Sequence, residues 1–314
     1  KPQALPLLIL VDISGSMERY ARLLLAFLHQ ATRGTPRQIY AFGTDLTEME
    51  RLARQIEAAV RLYMAQNGDM VAGKKVEVIV KDDAATPDVT RRFAQELVVN
   101  EKVNVLAGFG VTPAALAAAP IATQSKTPLV VMAAATSSIT EASPYVVRTS
   151  FTLPQVSVAL ADWAPKNGIK KVVTLVSDYG PGLDAEKFFK ERLVFNGGTV
   201  VDTLRVPMRN PDFAPFLQKV RDLKPDALFV FVPSGAGAAV MKQFLERGMD
   251  KAGIKLIGTG DITDDDQLND MGDGALGVVT SHHYSAAHPS AVNKKFVDAF
   301  QKANNNLRPN FMAV

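Results

Sequence analysis

A chain of 314 residues with 47% hydrophobic and 21% charged residues can bury a sizeable core and is long enough for two or three domains. Its 35 Lys and Arg against 32 Asp and Glu leave a net charge of +3, spread without a basic run or interleaved aromatics, which argues against a nucleic-acid groove. Zero cysteines exclude a disulfide framework and thiolate metal sites and fit either a cytosolic or a periplasmic chain.

From Lys1 to Val11 there is one basic residue, a short apolar stretch and no small-residue cleavage site, so this segment does not read as a secretory signal. The uncharged apolar stretch from Val103 to Gln124 is broken by Gly108, Gly110, Pro113 and Pro120, unlike a membrane span. Short apolar runs alternate with helical patterns: Leu7–Val11, Gln38–Phe42, Val76–Val80, Val103–Leu106, Leu129–Met132, Val172–Val176, Thr199–Val206, Ala227–Phe231, Lys255–Ile257 and Val278–Thr280. Most are continuously apolar, as strands covered on both faces require, and the rhythm predicts βαβ units in doubly wound parallel sheets.

Helix punctuation agrees. Thr86 caps a helix over Pro87–Val99 with proline in its first turn, and a helix over Leu183–Phe195 stops at Asn196-Gly197. Thr47 and Glu50 form a capping-box pattern, and Met49, Leu52, Ile56, Val60 and Tyr63 recur at helical spacing, predicting one unbroken helix over Thr47–Gln66.

In an open parallel sheet, ligands bind beyond the carboxyl ends of the strands. Here those loops are rich in Gly, Ser, Thr and Asp: Gly108–Pro113, Ala134–Ser138, Ser177–Gly182, Pro233–Gly235 and Gly258–Asp261. Gly108-x-Gly110 lacks the third glycine of a dinucleotide fingerprint, so a turn or carboxylate cradle is favoured there. Thr136, Ser137 and Ser138 fit either ligand contact or a helix cap, and Tyr179 either a ligand contact or a surface aromatic. Asp264-Asp265-Asp266 reads as a solvated first turn of a helix favoured by its dipole. His282 and His283, facing opposite ways if the strand continues, suit a hinge region better than a metal pair. No catalytic constellation is present in this pattern, and no enzyme is expected.

The segments LAGFGVTPAALAAAPIATQSKTPLVVMAAATSS, PYVVRTSF, VSDYGPGLDAEKFF and PDALFVFVPSGAGAAVMKQFLERG resemble type I periplasmic substrate-binding proteins of ABC transporters, branched-chain amino acid type, over about 56–314. The resemblance implies an α/β fold of two doubly wound parallel-sheet lobes around a cleft. Lobe 1 would take 56–147 plus 285–314 and lobe 2 would take 148–284, with crossings near Arg148-Thr149-Ser150 and after Tyr284. It also implies that Val111, Thr112, Ala135, Thr136 and Ser137 hold a ligand carboxylate through hydroxyls and backbone N–H groups, donors that suit an anion. Tyr179, Ser234 and Asp261 would close from lobe 2. Asp261 matches the position where amino-acid binders place an acid for the ligand ammonium. The implied role is capture of an amino acid or small, possibly aromatic, carboxylic acid in the periplasm and delivery to a membrane permease.

Residues 1–55 differ. LLILVDISGSMERYARLLLAFLHQ and IYAFGTDLTEM resemble the start of a von Willebrand factor A domain of the carbon-monoxide dehydrogenase accessory type. Asp12, Ser14 and Ser16 form a D-x-S-x-S motif whose hard oxygens suit Mg²⁺, although that family's later Thr and Asp ligands would fall beyond Gln55, which leaves the metal set incomplete. The alternative is that Ser14 and Ser16 cap a helix over Met17–Thr32. No other cofactor is expected. Leu7–Val11 is expected to stand in for the missing first strand of lobe 1, bringing Asp12–Ser16 beside Val111-Thr112 and Thr136. The binding-protein pattern also continues, in its family, past Phe311–Val314, so lobe 2 is expected to lack part of its packing, as in a chimera, gene fusion or fragment. The rival function is a metal-dependent adhesion or chaperone-type von Willebrand A module.

Overall fold

The computed structural model describes residues 7–12, 37–42, 44–208 and 211–314, with side chains from 54 onward except Asp270. It divides into two compact units, Lys1–Leu52 and Ala53–Val314. In the first, β1 (Leu7–Asp12) and β2 (Arg37–Phe42) pair in parallel from Leu7↔Arg37 to Asp12↔Phe42. β1 is no part of the lobe-1 sheet. The expectation that Leu7–Val11 completes that sheet is therefore not met, since β1 belongs to a two-stranded sheet with β2, and the placement of Asp12–Ser16 at the cleft, which depended on it, loses its basis. The boundary at Leu52 falls inside α1, Thr44–Asn67, the long helix expected over Thr47–Gln66.

The larger unit holds two parallel sheets. The lobe-1 sheet has order β5-β6-β7, with β5 Leu106–Gly108, β6 Leu129–Val131 and β7 Val146–Arg148. Helix α2 (Pro87–Val99) starts at Pro87 as its punctuation predicts, and α3 (Thr112–Ser125) lays Ala115, Ala118, Ala119 and Ala122 against Leu106, Leu129 and Val131. These small side chains let the helix lie close to the strands.

Lobe 2 has order β12-β11-β10-β8-β9: β8 Lys171–Ser177, β9 Thr199–Val206, β10 Ala227–Phe231, β11 Lys255–Thr259 and β12 Val279–Ser281. All its pairings are parallel. Helices α4 (Leu153–Lys166), α5 (Gly180–Phe195), α6 (Ala214–Leu223) and α7 (Gly237–Glu246) alternate with the strands. Every residue of β10 is buried, which explains its unbroken apolar run. Phe189 of α5 stacks on Phe229 of β10 at 4.0 Å between ring centroids. The strand order reverses between β8 and β10, so the loops after Ser177 and Phe231 flank the crevice. A last helix, α8 (Ala291–Ala303), is capped by Ser290, whose hydroxyl accepts from the Asn293 N–H.

Three sequence readings change. Val76–Val80 forms no strand. It follows the short hairpin β3 (Met70–Val71) and β4 (Lys74–Lys75), and Val76 and Val80 stay 38% and 47% exposed. A strand forms only where a neighbour takes up its N–H and C=O groups, and no strand pairing is found for Val76–Val80 among the described residues. His282 and His283 do not diverge: both pack on Phe151, at 4.6 and 4.5 Å, because the strand has ended at Ser281. With Phe311, 4.4 Å from His282, they form an aromatic knot where 151, 282–283 and 311 meet, consistent with a hinge.

The acidic triplet is not a solvated turn. Asp264 is buried and accepts from Ser234 Oγ, and Asp265 accepts from the Ala286 N–H at 2.9 Å and from Ser285 Oγ and pairs with Arg308. Asp266 accepts from Asn310 Nδ2. These carboxylates tether the return path of the chain. Gln55, placed in the front piece by sequence, is fully buried and bonded to that path. Its amide donates to Arg308 O at 2.9 Å and accepts from the Asn310 N–H.

Removing the ring in Phe189→Ala should cost about 3–5 kcal/mol, because the void lies between α5 and a fully covered strand. Urea unfolding followed by circular dichroism checks this, and a loss below about 1 kcal/mol would contradict the packing described.

Candidate ligand cleft

The expected site residues fall at strand ends, as their loops require. Val111 caps α3 in an extended conformation and Thr112 begins the helix, while Thr136 caps the short 3-10 turn Ser137–Glu141. Of the two roles expected for Thr136, the side-chain cap is not made. Its hydroxyl makes no cap bond and instead lies 2.7 Å from Thr112 Oγ1, with both threonines buried. These two loops thus form one cradle, with Ala135 buried beside it.

Lobe 2 reaches that cradle through the start of α5. Tyr179 is its cap, and Gly180 sits so close that an added Cβ would lie 3.0 Å from Thr136 Oγ1 and 3.6 Å from Thr112 Cγ2. A side chain there would hold the lobes apart. Gly182 is tighter still, because an added Cβ would fall 1.9 Å from Ser177 O, so glycine lets α5 turn directly off β8. Tyr179 faces Phe231 at 6.1 Å and feels the charge of Asp261. Burial first, and that charge second, push its phenol above the ordinary tyrosine range.

Asp261 is 8% exposed and accepts from Thr259 Oγ1 at 2.7 Å, with His282 Nε2 at 3.8 Å. Burial pushes its carboxyl up to about 6, only partly opposed by the Thr259 bond. Burial pushes the His282 imidazole down to about 3, helped by its neighbour His283. The two close groups are thus both biased towards neutrality, and their contact is not an ion pair at neutral pH. Ser234, expected in the cleft, spends its hydroxyl on Asp264.

Two cradle residues went unnoticed in the sequence as site residues. Arg148 Nη2 donates to Thr136 O, and its Nε is buried without a protein partner. Burial lowers the guanidinium pKa while Asp184 opposes that shift. Asp184 Oδ2 accepts from the Ser137 N–H at 2.6 Å. The only signal for Arg148 was a cation ending the apolar strand VVR, and Asp184 had none. A separate groove of about 890 Å³, lined by Thr263, Asp265, His283, Tyr284, Asn293 and Phe311 among others, contains none of the eight expected ligand residues. Gly260 and His282, the neighbours of Asp261, also line that groove.

Of the metal motif, Asp12 ends β1, and Ser14 and Ser16 lie outside the described residues, as does the helix expected over Met17–Thr32. Among the described residues no group of three or more His, Cys, Asp or Glu is arranged to hold a metal ion. No described helix is long and apolar enough to cross a membrane.

The profile of the periplasmic binding protein family matches residues 44–314. The chain belongs to that family. A second profile, VWA domain containing CoxE-like protein, matches residues 1–74, so the two overlap across α1. A solute-binding protein of an ABC transporter from Rhodopseudomonas palustris BisB5, solved with 3,4-dihydroxybenzoic acid, is 65% identical. That match covers 85% of this chain and 73% of the other at a TM-score of 0.81. A second, from R. palustris HaA2 with p-hydroxybenzoic acid, is 38% identical with a TM-score of 0.82 and the same coverage. The Leu/Ile/Val-binding protein homolog 6 of Brucella abortus (strain 2308) is 45% identical over 255 residues, which are 81% of this chain and 65% of that protein. The binding-protein chain therefore spans a little under two thirds of the curated relatives it matches. The fold is the type I periplasmic binding fold expected from sequence.

A carboxyl held above its unfolded value favours folding most when protonated. Asp261 therefore contributes most below its ordinary 3.8, and that contribution drains away as pH rises to about 6. His282 has the opposite sign, contributing fully above 6.5 and losing that contribution as pH falls towards about 3. Asp261→Asn removes the first trend and keeps the Thr259 bond. The variant's stability relative to wild type should therefore rise between pH 4 and 7 by up to about 3 kcal/mol. Thermal melts across that range measure it, and a difference independent of pH would mean that Asp261 is not titrating as described.

Proposed function

We propose that this chain is the solute-binding component of an ABC transporter, closing its two lobes on a small aromatic carboxylate bearing ring hydroxyls and releasing it to a membrane permease in the periplasm. The observation that carries the reading is the cradle itself. Thr112 and Thr136 hydroxyls meet at 2.7 Å beside the half-buried Arg148 guanidinium and directly under the start of α5. Hydroxyls, backbone N–H groups and a nearby cation favour a carboxylate, while Tyr179, backed by the buried Phe231, supplies a flat apolar face for a ring. The bound acids of the two R. palustris relatives are of this class.

Asp261 suits a hydroxylated ring as well as an ammonium. Burial raises its carboxyl to about 6, so at neutral pH it is mainly ionised and accepts a hydrogen bond from a ring hydroxyl, and the choice of an aromatic acid over an amino acid rests on the bound acids of the relatives. Capture and delivery need no bond-making residue, and we propose no chemistry for the site.

Isothermal titration with 3,4-dihydroxybenzoate, 4-hydroxybenzoate, benzoate, leucine and valine, each with and without Mg²⁺, tests the proposal. Hydroxybenzoates should bind without Mg²⁺, and Thr136→Ala should weaken them about tenfold through one lost polar partner. Preference for leucine or valine would overturn the ligand class. Failure to bind any acid, together with Mg²⁺-dependent capture of a protein partner, would favour the von Willebrand A reading of residues 1–74.

A further inference from the structure

We propose that Asp184 is the clasp of the cleft, a lobe-2 carboxylate that fastens on the Ser137 N–H of lobe 1 and sets how firmly the lobes shut. The inference rests on the two-lobed receptor reading and gives Asp184, a cradle residue away from the hinge, a bond between the lobes. Asp184 lies one turn beyond Gly180 on α5, and its Oδ2 is 2.6 Å from a nitrogen 47 residues earlier in the chain.

The peptide it grips is special in one respect. Thr136 C=O and Ser137 N–H are the two ends of a single planar peptide unit. Arg148 donates to the carbonyl end and Asp184 accepts from the amide end. With both ends held, that peptide cannot rotate, and the Thr136 hydroxyl stays directed at Thr112. Arg148 ends β7 in the lobe-1 sheet, so its bond persists whether the lobes are open or shut. Asp184 belongs to lobe 2, so its bond exists only in the closed arrangement. The same carboxylate also favours the charged form of Arg148 and so offsets part of the cost of burying that guanidinium. Closure thus completes an electrostatic pair as well as a hydrogen bond. Gly180 makes the approach possible, since any Cβ there would press on Thr136 before Asp184 could arrive.

The chain has no cysteine, so Gln95→Cys on α2 and Glu191→Cys on α5, both exposed, give one label on each lobe. Double electron–electron resonance on the spin-labelled full chain, with and without 3,4-dihydroxybenzoate, reads the closed and open populations. Asp184→Ala should lower the closed-to-open ratio about tenfold, the scale of one charge-assisted hydrogen bond, and weaken the acid by a similar factor with an unchanged unfolding midpoint. Asp184→Asn, whose amide oxygen still accepts without a charge, should fall between. Unchanged distances in both variants would overturn the clasp. So would tighter binding, which would mean that Asp184 competes with the ligand for the Ser137 N–H. If wild type binds none of the acids, the ligand reading fails, but distances in the ligand-free protein still decide the clasp.

Discussion

The meeting of Thr136 with Gly180 is the contact on which the rest of the larger unit depends. Two parallel sheets, each completed separately, present their strand ends to one another, and a backbone without a Cβ lets α5 descend on a threonine hydroxyl. The cradle residues gather around that contact. Thr112 is paired with Thr136, Tyr179 precedes Gly180, Asp184 follows it by one turn, and Arg148 holds the loop from behind.

The hinge is built by different chemistry. Phe151, His282, His283 and Phe311 stack where the chain crosses between sheets, and Asp265 and Asp266 fasten the return segment at 285–286 and 308–310. A ring cluster resists separation but tolerates rotation, whereas directional hydrogen bonds define where the segment starts. Burial keeps His282 neutral and raises Asp261 beside it, so the cleft floor avoids a buried charge pair whose desolvation would have to be offset. Gln55 extends this tether to α1, whose sequence both family profiles claim.

Residues 1–52 form one compact unit, in which β1 and β2 pair in parallel. In the larger unit, one stretch of strand composition takes another course. Val76–Val80 keeps the composition of a strand but joins no sheet among the described residues, with the Val76 N–H donating to Asp69 O in the hairpin, and Val76 and Val80 remain exposed.

Sequence alone determined what is local or periodic. Unbroken apolar runs such as Ala227–Phe231 can only be strands covered on both sides, Thr86-Pro87 can only open a helix, and Gly, Ser and Thr clusters after strands mark the carboxyl-end loops where ligands sit. Hence the parallel α/β class and the position of the Val111-Thr112, Thr136 and Tyr179 loops at strand ends were legible in the sequence, while the division into two lobes was implied by the family resemblance. Tertiary structure decided what depends on partners distant in the chain. Whether Ser234 turns to a ligand or to Asp264, and whether the acidic triplet is solvated or clamped, rests on neighbours tens of residues away. So do the facing directions of His282 and His283 and the grip of Arg148 and Asp184 on one peptide. A side chain's type limits the bonds it can make, but only the packing of remote segments chooses which bond it makes.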